Sequence, residues 1–540
     1  MTEKAWWRGA VIYQVYPRSL MDANNDGVGD LRGIINKLDY IASLNVDAIW
    51  ISPFFKSPMK DFGYDISDYR QVDPMFGNET DIDELIAEAH QRNIKVIIDQ
   101  VLSHTSDQHE WFIESREDKT NPKADWYVWA DSKPDGMQPN NWLSIFGGPA
   151  WQWEPRRKQY YMHNFLTSQP DLNYHNPDVQ QAVLDNVEFW LKKGVDGLRL
   201  DAITYCFHDK LLRDNPPKAE EDRVGRGFSP DNPYAFQYHY YNNALPENIG
   251  FIERLRSLMD KYPGTVTLGE VTSEDSLATM AEYTEGNNRL HMCYSFELLT
   301  DDYSADYIRS TVATLEQQMQ QGWSCWAIGN HDVQRVVTRW GKGKGNAQMA
   351  KMLNAMLFSL RGSVCSYQGE ELGLTEVDIQ EHELQDPYGI TFWPRFKGRD
   401  GCRTPLPWDN EAENAGFSQH KTWLPIPPEH KALAVSTQES NPESILHAYR
   451  AFLAWRRQHG AMRDGDIRFI DTPEPLLQFE RQQDSEHFML CFNLGDTSQQ
   501  IMLEQNWQII EPVAGMQAQW ANRTGEQVNL PAYGVMIAKR

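Results

Sequence analysis

Short apolar runs rich in β-branched residues recur along this chain, and between them apolar positions return at helical spacing. The runs are Ala10–Tyr16, Asp47–Ile51, Lys95–Val101 and Gly197–Asp201, then Thr265–Glu270, Met292–Phe296, Ser324–Ile328 and Ser363–Tyr367. Segments such as Asp30–Leu44, Asp81–Arg92, Asp178–Lys193 and Gly345–Leu360 carry the helical pattern. Strands alternating with helices in this number predict an α/β fold, a parallel (β/α)8 TIM barrel rather than an open sheet. No repeat of fixed period is visible.

Two connections are too long for simple turns. Residues 104–172, after the third strand, are rich in Trp, Pro, Gly and Asn and read as a small inserted domain. Residues 371–428, after the last strand, carry many Pro and Trp and read as a lid-like excursion. A third loop, Lys210–Pro246, is polar and Tyr-rich. The barrel is thus expected over 1–103 and 173–460. Residues 461–540, with alternating runs such as FMLCFNL and VMIAK, are expected to form a C-terminal antiparallel β-domain.

Composition narrows the partners. The formal charge is −25, which argues against a nucleic-acid or anionic-membrane partner because both demand basic surface. The aromatic share, with 19 Trp and 23 Tyr, suits a large core and also suits a pocket for sugar rings. Six Cys are scattered without paired spacing, so neither a disulfide frame nor a zinc site is indicated. The N-terminus has no basic stretch followed by a long apolar one, and no apolar run approaches the roughly 18 residues of a membrane helix. A soluble, cytoplasmic protein of unspecified oligomeric state is expected.

The chemistry gathers where the strands end. Asp99 and His104 flank the third strand, Arg199 and Asp201 close the fourth, and Glu270 closes the fifth. Asn330, His331 and Asp332 follow the seventh. A barrel points all of these into one mouth. Cleavage of a glycosidic bond needs two carboxyl groups with separated roles. Arg199 stands two residues before Asp201 on one strand face, and that cation is expected to lower its pKa, as suits a nucleophile. Glu270 leaves an apolar strand with no adjacent cation, so burial is expected to keep it protonated as an acid. Asp332, beside His331, is placed to hold ring hydroxyls.

The segments DQVLSH, GLRLDAITY, GEV and GNHDV resemble the successive signature regions of the α-amylase family of glycoside hydrolases. QPDLN at Gln169–Asn173 and GRDGCRTPLPW at Gly398–Trp408 resemble its α-glucosidase and oligo-1,6-glucosidase branch. The resemblance spans Trp6 to about Arg457. It implies a retaining double displacement with Asp201 as nucleophile, Glu270 as acid/base and Asp332 as transition-state stabiliser. It also implies that Asp61, Tyr64, His104, Arg199 and His331 line a pocket for the terminal glucose. Arg403 would pair with Asp61 to close its floor, Tyr64 would stack on the sugar, and Phe146 and Phe165 would wall it, unless they are only core. Phe62 and the pair Gly401–Cys402 depart from the usual pattern. Ala202, directly after Asp201, implies a preference for α-1,4 over α-1,6 bonds. An exo-acting α-glucosidase with transfer capacity is the reading. The alternatives are an isomerase or transglucosylase of the same family and an oligo-1,6-glucosidase. A carboxylate-poor binding relative is disfavoured by the retained Asp201, Glu270 and Asp332.

One motif stands apart. Asp22, Asn24, Asp26, Val28 and Asp30 begin like an EF-hand loop, but Gly33 occupies the position where that motif needs Glu. Four hard oxygen side chains and the Val28 carbonyl still suit a structural Ca2+ or Mg2+, and matching loops of the branch imply one. No organic cofactor is expected.

Overall fold

The computed structural model describes residues 5–224, 228 and 231–540. Eight parallel strands form one sheet: β1 (Val11–Val15), β2 (Ala48–Ile51), β3 (Lys95–Val101), β4 (Gly197–Asp201), β5 (Val266–Val271), β6 (Met292–Ser295), β7 (Cys325–Trp326) and β8 (Ser363–Tyr367). Neighbours follow chain order from β1 to β6, and β8 pairs with both β1 and β7. A parallel bridge between Cys293 and Ser324 closes the ring. The barrel is the expected one.

Strand periodicity then decides what faces inward. Ile12, Trp50, Ile97, Leu268 and Met292 share one cluster inside the barrel. Their alternates, such as Val11, Ile49, Ile98 and Val271, pack outward against the helices. Continuing the inward rows by two residues reaches Asp99, Glu270 and Tyr294, and on β4 the same face carries Arg199 and Asp201. The apolar floor therefore becomes a polar mouth at the C-terminal end of the strands. Gly197 begins β4 because a Cβ there would fall 2.6 Å from the Val266 side chain.

The helices are bounded by their chemistry. Asn78 and Asp81 cap the helix Glu79–Gln91 reciprocally. Asn176 caps Pro177–Lys193, which ends on left-handed Gly194. The segment expected as one helix over Asp30–Leu44 is two, Leu31–Asn36 and Leu38–Ser43, parted at Lys37. The excursion after β3 carries its own antiparallel sheet of Trp129–Ala130, Gln159–Met162 and Trp151–Glu154.

The C-terminal segment forms antiparallel strands β9 (Asp466–Ile470), β10 (Leu476–Gln483), β11 (Glu486–Asn493) and β12 (Val535–Lys539), backed by a second small sheet. It is fastened along the flank of the barrel, where Tyr303 donates to the Leu494 carbonyl (2.9 Å) after β6 and Gln519 to that of Gln348 (2.7 Å) after β7, and beneath it. Buried Arg481 donates to the carbonyls of Ser359 (2.6 Å) and Leu360 (3.0 Å), just before β8. On the helix Ile445–Arg457 that precedes this segment, Arg456 donates to the Gly9 carbonyl (2.6 Å), just before β1.

Candidate active site

Register brings the polar residues together. Asp99 pairs with Arg199 across β3 and β4, and Leu268 pairs with Arg199 across β4 and β5, so Asp99, Arg199 and Glu270 meet. The Arg199 guanidinium, fully buried and stacked on Trp50, touches three carboxyl groups. Nη1 lies 2.9 Å from Asp99 and 2.6 Å from Asp201, and Nη2 donates to Glu270. Glu270 also accepts the Tyr294 hydroxyl (3.0 Å) and the Ala202 amide (3.0 Å).

This sharing corrects two expectations. Burial pushes the Asp201 carboxyl up to about 7, and the charge of Asp99 adds to it, so Arg199 does not hold it low. Glu270 does have a cation in contact, yet burial, aided by Asp201 and Asp332, still pushes it up to about 7. Burial likewise raises Asp99 to about 6. One cation among three carboxyls cannot neutralise them all, and the set retains protons near neutrality.

Asp332 is the contrasting member. Burial opposes its ionisation, but His331, Arg399 and Arg403 together hold its carboxyl well below the usual range. Arg403 lies 3.1 Å from it and Arg399 3.2 Å. Burial pushes His331 well below the ordinary imidazole range, opposed by the charge of Asp332. Its Nδ1 receives Gln14 Nε2 at 2.7 Å, which leaves Nε2 to face Tyr64 Oη (2.6 Å) and Asp332 (3.3 Å).

The floor differs from the expected Asp61–Arg403 pair. Asp61 pairs with Arg399 at 2.8 Å and accepts Gln169 Nε2 at 3.0 Å. Arg399 is anchored in turn by Asp386 at 2.8 Å. Arg403 lies behind the pocket, where it donates to the His331 carbonyl (2.7 Å) and to Asp332. The turn Asp400–Cys402 separates the two arginines and sends them to different partners. Arg399, Gln169, Asp386, Gln14 and Tyr294 were not among the expected site residues. Arg399 and Gln169 stand in motifs that had been singled out, while the others carry no local signal.

The remaining expected residues do line the cavity: Asp61, Tyr64, His104, Phe146, Phe165 and Ala202. Tyr64 stacks on His331, with centroids 5.3 Å apart. Burial lowers His104 to about 4, and its Nε2 meets the Tyr64 carbonyl at 3.0 Å. Phe165 packs on His104 and Phe146 beneath Arg399, so both are pocket walls. Ala202 adopts φ 45 and ψ 38, a left-handed conformation uncommon outside glycine, and so turns its amide toward Glu270.

The loop Asp22–Asp30 lies apart from this cavity. Asp22 accepts the amides of Asn25 (2.7 Å) and Gly27 (2.8 Å), Asp26 that of Val28 (2.9 Å), and Asp30 that of Gly33 (2.6 Å). Gly33 is required there, since a Cβ would fall 1.8 Å from the Met21 carbonyl. Among the described residues, no group of three or more His, Cys, Asp and Glu side chains converges as a metal site.

A carboxyl-lined pocket at the C-terminal mouth of a (β/α)8 barrel is an arrangement that suits the paired carboxyls of a glycoside hydrolase. The chain belongs to the α-amylase family, whose catalytic domain matches residues 14–465. It is 51% identical over 540 residues to a probable alpha-glucosidase of Rhizobium meliloti (strain 1021), covering 99% of this chain and 97% of that relative. It is 37% identical over 531 residues to an oligo-1,6-glucosidase of Parageobacillus thermoglucosidasius, with 92% and 91% covered. A solved alpha-glucosyl transfer enzyme shares 62% identity at a TM-score of 0.98, covering 99% of this chain and 100% of its own. The isomaltulose synthase of Protaminobacter rubrum shares 30% at a TM-score of 0.90, with 100% of both chains covered. The family resemblance read from the motifs holds.

Proposed function

We propose that the chain is an exo-acting, retaining α-glucosidase that removes terminal α-linked glucose from short oligosaccharides or α-glucosides and transfers it to other alcohols. The observation that carries this is the placement of Asp201 and Glu270 on the two terminal nitrogens of one guanidinium. Carboxyls held that closely match the roughly 5–5.5 Å spacing of retaining enzymes better than the roughly 6.5–9.5 Å of inverting ones. Asp201 attacks the anomeric carbon, and Glu270 donates its proton to the leaving oxygen. Glu270 then deprotonates the incoming water or alcohol as the Asp201 ester breaks. Asp332, held ionised, binds ring hydroxyls and stabilises the developing positive charge. The Asp61–Arg399 pair closes the pocket behind one glucosyl ring, which disfavours an endo mode of attack.

Proton NMR of p-nitrophenyl α-glucoside hydrolysis should show α-glucose as the first sugar product. Initial β-glucose would refute the double displacement. Asp201→Asn should abolish turnover, and near-normal maltose cleavage by it would refute the assignment. The likeness to the isomaltulose synthase favours a second reading, isomerisation of sucrose, which product analysis on sucrose would reveal.

Three further readings belong to this proposal. Ala202 at the pocket rim supports a preference for α-1,4 over α-1,6 bonds. The hard oxygens of Asp22, Asn24, Asp26, Val28 and Asp30 are suited to a structural Ca2+ or Mg2+, to be tested by metal analysis and a chelator-induced fall in Tm. Six free, buried cysteines support a cytoplasmic location, and among the described residues no helix is long and apolar enough to cross a membrane.

A further inference from the structure

Tyr294 of β6 is the register partner of Glu270 on β5, and it is buried. Its phenol reaches Arg199 as well as the acid/base. Arg199 donates to the phenol oxygen from Nη2 at 2.7 Å and from Nε at 3.2 Å. A phenol oxygen has two lone pairs to accept with and one hydrogen to give. With both lone pairs taken by the guanidinium, the hydrogen is directed to Glu270 Oε1, 3.0 Å away. Burial raises this phenol well above the ordinary tyrosine range, so it stays a donor through neutrality.

The two oxygens of Glu270 are thereby made unlike. Oε1 accepts from the Tyr294 hydroxyl and from Arg199 Nη2, which together occupy its two lone pairs. Oε2 accepts the Ala202 amide at 3.0 Å. Ala202 lines the catalytic pocket, whereas Tyr294 and Arg199 stand behind it. A proton on Oε1 would face a cation and a phenol whose lone pairs are already taken. A proton on Oε2 meets neither. The acid hydrogen of Glu270 therefore belongs on Oε2, the oxygen on the pocket side.

We infer that Tyr294 is a positioning residue for the acid/base: its hydroxyl, locked by Arg199, holds Glu270 Oε1 and so reserves Oε2 for the proton given to the leaving oxygen. The inference rests on the double displacement proposed above, with Glu270 as its acid/base. In the first step Oε2 gives its proton to the leaving oxygen as the bond from that oxygen to the anomeric carbon breaks. The electron pair of that bond stays with the leaving oxygen, and the Asp201 ester forms. In the second step the incoming water or alcohol bonds to the anomeric carbon and returns a proton to Oε2 as Asp201 leaves as carboxylate. Oε1 keeps the same two donors throughout.

The test compares two substrates and the alkaline limb of the pH profile. Tyr294→Phe keeps the ring and removes only the hydroxyl. Maltose needs its leaving oxygen protonated, whereas p-nitrophenyl α-glucoside needs little such help. The ratio of kcat/KM on maltose to that on the aryl glucoside should fall about tenfold in this variant. A merely structural loss would lower both alike and leave the ratio unmoved. A donor to a carboxylate favours its ionised form, so losing it should move the alkaline limb for maltose up by about one pH unit. Replacing Tyr294 by 3-fluorotyrosine, a stronger donor of nearly the same shape, should move that limb down and keep the ratio. Damage to the fold cannot produce two opposite shifts. An unchanged ratio with an unmoved limb in Tyr294→Phe, or limbs that move the same way in both variants, would overturn the role of Tyr294. Near-normal maltose cleavage by Glu270→Gln would instead overturn the acid/base assignment on which that role depends.

Discussion

Asp61 and Arg399 are both buried, and each supplies the other's countercharge. Removing Arg399 leaves Asp61 without its cation, which typically costs about 3–5 kcal/mol, whereas Arg399 keeps Asp386 and Asp332 when Asp61 is removed. Asp61→Ala and Arg399→Ala should therefore each raise KM for maltose, the second more steeply, and the double variant should lose little more than Arg399→Ala alone. Full additivity of the two losses in kcat/KM would show that the pair is not a unit. Arg403→Ala should behave differently. It releases Asp332 and the His331 carbonyl, so kcat should fall more than KM rises. The shared cation predicts the pH profile as well. Turnover needs one of Asp201 and Glu270 ionised and the other protonated, while both are raised toward about 7. The profile of kcat/KM should be a narrow bell, its limbs belonging to the coupled set rather than to either residue. With an aryl glucoside whose leaving group needs no proton, Glu270→Gln should remove the alkaline limb and keep the acid one.

The joint between β4 and the turn that follows depends on a left-handed Ala202. A β-branched side chain is strained in that conformation, at about 1–2 kcal/mol. Ala202→Val should thus lower Tm while depressing maltose hydrolysis relative to isomaltose hydrolysis, and Ala202→Gly should leave Tm unchanged or raise it. An unchanged substrate ratio in the Val variant would refute the role in linkage preference. That strain was invisible in the sequence, whereas the strands themselves were legible, because barrel strands buried on both faces read as continuous apolar runs. Their polar ends were legible too, since a two-residue period carries Asp99, Arg199 and Glu270 inward with their apolar neighbours. What could not be read was pairing across the mouth. Arg399 and Arg403 stand four residues apart in one motif, and only the path of the intervening turn decides which one meets Asp61. The pKa of Asp201 eluded the sequence for a similar reason: Asp99 and Glu270, remote in the chain, compete for the same guanidinium.

Across the molecule, burial raises several acids together: Asp99 to about 6, Asp201, Glu270 and Glu376 to about 7, and Glu370 to about 8. An acid whose folded pKa exceeds its unfolded value stabilises the fold fully below the unfolded value, near 4, and loses that contribution as pH rises through the folded one. Buried histidines lowered by burial, such as His104 and His163, act in the opposite sense below about pH 6.5. Tm measured by calorimetry should therefore fall only between about pH 7 and pH 8.5. Glu370→Gln, outside the lining of the catalytic pocket, should flatten the upper part of that slope. The C-terminal sheet is held beneath the barrel by Arg481, which donates to the Ser359 and Leu360 carbonyls just before β8. Tethering the enzyme to a solid support through Arg540, directly after β12, would therefore put that sheet between the support and the floor of the barrel.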